Sequence, residues 1–197
     1  MRHAAALLLC LTSLAFGQAK GTAQSPAGAS GAARRQAVDV HGWGKVTWGM
    51  TVAQAKAALG PEAKAAEGEN TFTDGYIARL VLKKLKVGDI DMDVSIAAKS
   101  GSERIALISL ELADKPQDTG SRGAAYHGLL NALTRKYGRP TKTDKEIRDD
   151  TDVETNSAQW VLPSTNIDLV WIENRDLGFG VLHLMYSPVS RKMQDAL

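Results

Sequence analysis

Alternate aspartates at Asp89, Asp91 and Asp93, and a denser run at Asp149, Asp150, Asp152 and Glu154, are the residues whose type and spacing could hold a cation. A calcium loop does use alternate acids, but it needs glycine where Val94 stands and glutamate where Ser100 stands. Ile90 and Met92 fill the intervening positions, so the first set reads as a strand with one wet face. The second set lacks glycine and reads as a solvated acidic loop, with weak extracellular calcium binding as its alternative. Nothing around these acids would raise one pKa by burial, so a glycosidase carboxylate pair is not indicated. Beyond the N-terminal segment the histidines are His41, His127 and His183. They form no i, i+4 helical pair, and no serine sits in a nucleophile elbow. No catalytic residue, metal or cofactor is expected; a triad scattered along the chain is the remaining route to a hydrolase.

The aromatic residues offer binding chemistry instead. Trp43, Trp48, Trp160 and Trp171 are the candidate binding residues, because tryptophan dominates interface hot spots. Pairing about Pro163-Ser164-Thr165-Asn166 sets Trp160 opposite Leu169 and near Trp171, with Gly178 and Gly180 of the next strand beneath them. Two readings follow for this pair: an aromatic face that grips a partner, or a sheet–helix core roofed by Tyr126, Leu130 and Leu133. The second is favoured. Trp43 and Trp48 are expected to be partly exposed.

The elements that position these residues are legible from their punctuation. Thr51 and Gln54 have capping-box spacing, Val52, Ala55, Ala58 and Leu59 continue an apolar stripe, and Gly60-Pro61 stops the helix. Tyr76–Val87 and Asp89–Ala97 are predicted strands around a turn at Val87-Gly88. That pairing sets Leu85 opposite Ile90, Val81 opposite Val94, Lys86 opposite Asp89 and Lys84 opposite Asp91. Arg104–Ala113 makes a third strand. A second helix is predicted over Ser121–Tyr137, ended by Gly138 and Pro140. Strands at Ser157–Leu162, Asn166–Glu173 and Leu177–Tyr186 follow. The fold class is α+β, an antiparallel sheet with helices packed on one face. Its halves, 45–115 and 118–188, share the layout of two tandem helix-plus-three-strand repeats.

Around this domain, 38–188, the chain reads as export machinery. Residues 1–19 carry a short basic start and an apolar run through Leu7-Leu8-Leu9-Cys10-Leu11, the pattern of a cleaved signal peptide. Residues 20–37 hold no large aliphatic or aromatic side chain and read as a flexible tether; 189–197 form a tail. Leader and tether carry four of the 24 basic residues, which leaves 20 against 22 acids, so no basic stripe for nucleic acid remains. Cys10 is the only cysteine and sits inside the leader, flanked by Leu9 and Leu11. No lipid anchor, disulfide or thiolate chemistry is therefore expected of the exported chain. No later run is long or apolar enough for a transmembrane anchor.

Gly49-Met50-Thr51-Val52 followed by Leu59-Gly60-Pro61 is similar to the helix opening of small bacterial outer-membrane assembly lipoproteins of the SmpA/OmlA type. The helix-plus-antiparallel-sheet layout over 46–186 resembles the β-lactamase-inhibitor protein and its relatives. Trp48-Gly49, Lys136-Tyr137-Gly138-Arg139-Pro140, and Trp160 with Ile167-Asp168-Leu169 resemble uncharacterised secreted bacterial proteins of this plan. The lipoproteins carry an anchoring cysteine and the inhibitors carry disulfides; this chain departs from both. The resemblance implies a binding module, not an enzyme; with the leader, the expectation is an exported protein, periplasmic or extracellular, whose partner is another envelope or secreted protein. An inhibitor of an extracytoplasmic enzyme, acting through a loop at Val87-Gly88 or Asp144–Glu154, and a small hydrolase are the alternatives.

Overall fold

A computed structural model describes residues 39–68, 71–114, 119–148 and 151–189. The expected signal peptide, the tether, Asp149, Asp150 and all but the first residue of the tail lie outside them.

The capping box predicted at Thr51 forms. Thr51 Oγ1 accepts from the Gln54 N–H at 3.2 Å, and Gln54 Oε1 accepts from the Thr51 N–H at 2.9 Å. A small hairpin, β1 (Gly42–Trp43) and β2 (Val46–Thr47), precedes this helix, α1 (Val52–Leu59). Gly60 ends α1 at φ 81°, a left-handed exit that suits glycine. There follow β3 (Lys64–Ala65), β4 (Tyr76–Val87), β5 (Ile90–Lys99) and β6 (Ile105–Leu112). The second helix, α2 (Thr119–Tyr137), leads into β7 (Lys142–Arg148), β8 (Val153–Val161), β9 (Thr165–Asn174) and β10 (Phe179–Pro188).

The last eight strands form one antiparallel sheet in the order β3-β4-β5-β6-β10-β9-β8-β7. Alternate residues of six strands, among them Leu80, Val94, Leu110, Leu184, Leu169 and Trp160, meet Ala55 of α1 and Leu129 of α2 in one core. Both helices thus cover the same side of the sheet, which is the expected α+β arrangement. Each helix is followed by four strands rather than three, and the two sets meet where β6 pairs with β10. None of the helices described is long and apolar enough to cross a membrane.

Three expectations are corrected. The β4–β5 turn is Gly88-Asp89, with Gly88 at φ 62°, so Val87 faces Ile90, Lys86 faces Asp91 and Leu85 faces Met92. A bulge between Leu82 and Leu85, with Lys84 at φ 51°, then shifts the register so that Leu82 faces Val94 and Val81 faces Ser95. The extra residue lets Leu82 and Leu85 both enter the core and turns Val81 to the other face. Lys84 pairs with Asp114 at 3.1 Å, not with Asp91, which binds Lys86 at 3.0 Å.

The β8–β9 pairing is also tighter than expected. Leu162 N–H bonds to Thr165 O around Pro163-Ser164, so Trp160 faces Ile167 and Ala158 faces Leu169. Trp171 faces Leu182 of β10; Gly180 faces Glu173 and Gly178 lies in the turn, so neither glycine underlies the tryptophans.

Finally, the acidic stretch 144–154 is not a loop throughout. Residues 142–148 form the edge strand β7, its seven side chains all exposed, and Glu154 belongs to β8. A charged edge pairs inward with β8 while discouraging pairing with other chains.

Candidate binding face

The core reading of Trp160 and Trp171 is the one the fold realises. They are 1% and 3% exposed on the helix-facing side of the sheet, and so offer no aromatic face to a partner. Trp43 and Trp48 are half-buried beside the N-terminal hairpin, as expected. The Trp48 indole N–H donates to Thr165 Oγ1 at 2.8 Å, and the Thr165 hydroxyl in turn donates to the Val40 carbonyl. Asp39 accepts from both the N–H and the hydroxyl of Ser164 at 2.9 Å. These bonds anchor the N-terminal hairpin to the start of β9.

The polar groups gather elsewhere. On the side of the sheet away from the helices, Asp93, Glu111 and His183 stand directly opposite one another across β5, β6 and β10. Asp93 accepts from Lys83 Nζ at 2.7 Å and from the Lys84 N–H at 3.0 Å. Burial pushes the Asp93 carboxyl up, but these two donors and the charges of both lysines hold it below the usual range. Glu111 is different. Its side chain is 43% exposed, and His183 Nδ1 stands 3.4 Å from Glu111 Oε1; among the described residues it meets no lysine or arginine.

Two adjoining cavities share Glu111 and His183. One, about 510 Å³, runs past Asp93, Ser95 and Val81 to Phe72. The other, about 220 Å³, extends to Leu112, Val181 and Phe179. On the same face Gln159 donates to Asp168 at 2.7 Å, yet burial dominates and pushes the Asp168 carboxyl above its ordinary value. Ser109, opposite Ser95, is buried with no protein partner for its hydroxyl.

The aspartates Asp89, Asp91 and Asp93 do not converge. Asp89 lies in the turn, and the other two bind Lys86 and Lys83. Among the described residues no three His, Cys, Asp or Glu side chains are arranged to hold a metal ion. His41 is exposed beside Asp39 at 3.1 Å, and His127 is exposed with its ring edge-on to Tyr126. Neither His127 nor His183 is hydrogen-bonded to a serine among the described residues.

Glu154 is the buried acid that the sequence reading placed in solvent. Lys145 at 2.8 Å, Asn156 at 2.8 Å and Arg175 all donate to it, in a cleft between α2 and β7–β9. Lys145 first, then Asn156, hold its carboxyl below the ordinary range against the opposing effect of burial. With three donors engaged, the carboxylate locks the β7–β8 hairpin to the β9–β10 turn.

Sequence reading missed Glu111, Phe72 and Phe179. The usable signal was polar alternation in Arg104–Ala113, where Ser109 and Glu111 fall on one face of the strand. Compared with known protein families, with curated proteins and with solved structures, the chain gives no match.

Proposed function

We propose that this protein is an exported, non-catalytic binding protein of the bacterial cell envelope, which holds another envelope or secreted protein on the sheet face opposite its helices. The observation that supports this reading is apolar surface on that face. Ile172 and Phe179 are exposed there, beside half-buried Val170, Val181 and Met185. An antiparallel sheet can leave one face to water, but that face is then ordinarily polar. Apolar side chains grouped on it are a docking signal.

The leader at 1–19 supplies the argument for export and, with the mature region free of cysteine, for an unlipidated periplasmic or extracellular protein. The matched order of each helix and its four strands supports two tandem units, the plan for which the β-lactamase-inhibitor protein is the resemblance. Photo-crosslinking tests the face directly. A photoreactive side chain at Val170 or Met185 should capture a protein from the native envelope fraction, whereas one at Ala124 or Gly128 on α2 should not. Equal capture from both sides, or none from the sheet, would discard the proposal.

One observation favours the inhibitor reading as second. Leu177 is 77% exposed in the β9–β10 turn, an apolar tip of the kind an inhibitor inserts. A crosslink from Leu177 to an extracytoplasmic enzyme, with loss of that enzyme's activity on adding the protein, would select it.

A further inference from the structure

We propose that the open face recognises a basic side chain, lysine or arginine, on an extended segment of the partner protein, with Glu111 as its counter-charge and Phe72 and Phe179 as apolar borders. This rests on the open-face reading above and names the chemistry of its occupant.

Charge decides the class. Of the acids that cross the face in one row, Asp93 already has Lys83 at 2.7 Å. Glu111 has Asp93 on one side and the His183 imidazole on the other, with Nδ1 3.4 Å from its Oε1, and among the described residues it meets no lysine or arginine. It therefore stands as a carboxylate without a fixed cation, at the point where the two cavities join. Lys83, which also lines the larger cavity, is taken up by Asp93, so an anionic ligand would meet the Glu111 charge, and a wholly apolar one would strip water from Glu111 with nothing in return. A cationic side chain supplies the missing charge.

The borders decide the form of the ligand. Phe72 closes the larger cavity and Phe179 the smaller, so a long aliphatic stem ending in a charged group fits between aromatic edges. Phe179 lies four residues before His183 on β10 and Phe72 lines the far part of the larger cavity, so a segment passing through the two cavities would meet Phe72, Glu111 and Phe179.

Selection from random linear peptides displayed on phage, with the purified protein as target, tests this. Enriched peptides should carry lysine or arginine beside apolar residues and shift the NMR amide signals of β5, β6 and β10. Glu111→Gln, which keeps size and removes charge, should weaken them by about tenfold, and Glu111→Lys should abolish binding. Glu62→Gln, in the exposed turn after α1, should leave affinity unchanged. Peptides that shift the same amides without a basic residue, or that bind Glu111→Gln equally well, would overturn the basic-side-chain proposal while leaving the open-face reading standing. Enrichment of nothing, or shifts confined to α1 and α2, would overturn both.

Discussion

The indole N–H of Trp160 donates to the carbonyl of Gly138 at 2.9 Å, joining β8, the strand next to the sheet edge, to the residue that ends α2. Gly138 takes φ 88° there, and its own N–H closes on Thr134 O at 3.0 Å. Helix exit and strand β8 are thereby fixed to each other. Trp160→Phe keeps an aromatic ring but removes the donor and part of the buried volume. The expected loss is about 1–2 kcal/mol in urea unfolding, and an unchanged value would mean that the bond contributes nothing.

Glu154 should shape the acid limb of stability. Its folded-state pKa is held below the ordinary value, so its contribution is present above the unfolded carboxylate range and is lost as pH falls through the folded value. At neutral pH Glu154→Gln should lower unfolding free energy by about 1–3 kcal/mol, the scale of hydrogen bonds to a charged group. The gap between variant and wild type should close on acidification. A gap that widened instead would reverse the assignment.

Asp168 should behave in the opposite sense. Burial raises its folded pKa, so the fold favours the protonated form and ionisation weakens it as pH rises through that value. Asp168→Asn keeps an acceptor for Gln159 and removes the charge. The variant should melt above wild type at neutral pH and level with it below the carboxylate range, as scanning calorimetry would show.

The N-terminal hairpin makes a steric prediction. A Cβ on Gly42 would sit 2.0 Å from Val46 O, and the residue holds φ 151°. Gly42→Ala should unseat β1 and β2, release Trp48 from Thr165 and red-shift tryptophan emission. Gly44→Ala meets nothing within 4 Å but takes φ 57°, so it should cost about 1 kcal/mol with little change in emission. Matching spectra for the two variants would refute the contact.

What was legible in the sequence was local. Thr51 and Gln54, three residues apart, specify a cap whose two bonds close without help from the rest of the chain. Gly60-Pro61 and Gly138 stop their helices through backbone sterics, and alternation in β4, β5 and β6 marks strands because side chains on a pleat point to opposite faces. Charged residues 144–148, part of the acidic stretch 144–154, read as loop because charge resembles solvation; an edge strand is solvated too, and only its pairing with β8 shows the difference. Register escaped as well. Gly88-Asp89 and Pro163-Ser164 close tighter turns than composition distinguishes, and the bulge at Lys84 follows from the need to place both Leu82 and Leu85 in one core.

By itself, then, the sequence determined the helices, where they stop and the α+β class, which rest on patterning and backbone sterics among near neighbours. Tertiary structure decided that β6 and β10 lie side by side, because only that pairing merges both sets of core residues beneath α1 and α2. The same pairing sets Glu111 opposite His183, 72 positions away in the chain, with Asp93 on its other side. It also sends Trp160 and Trp171 inward. The open face is a product of where the core lies: residues that the helices do not cover became the surface available to a partner.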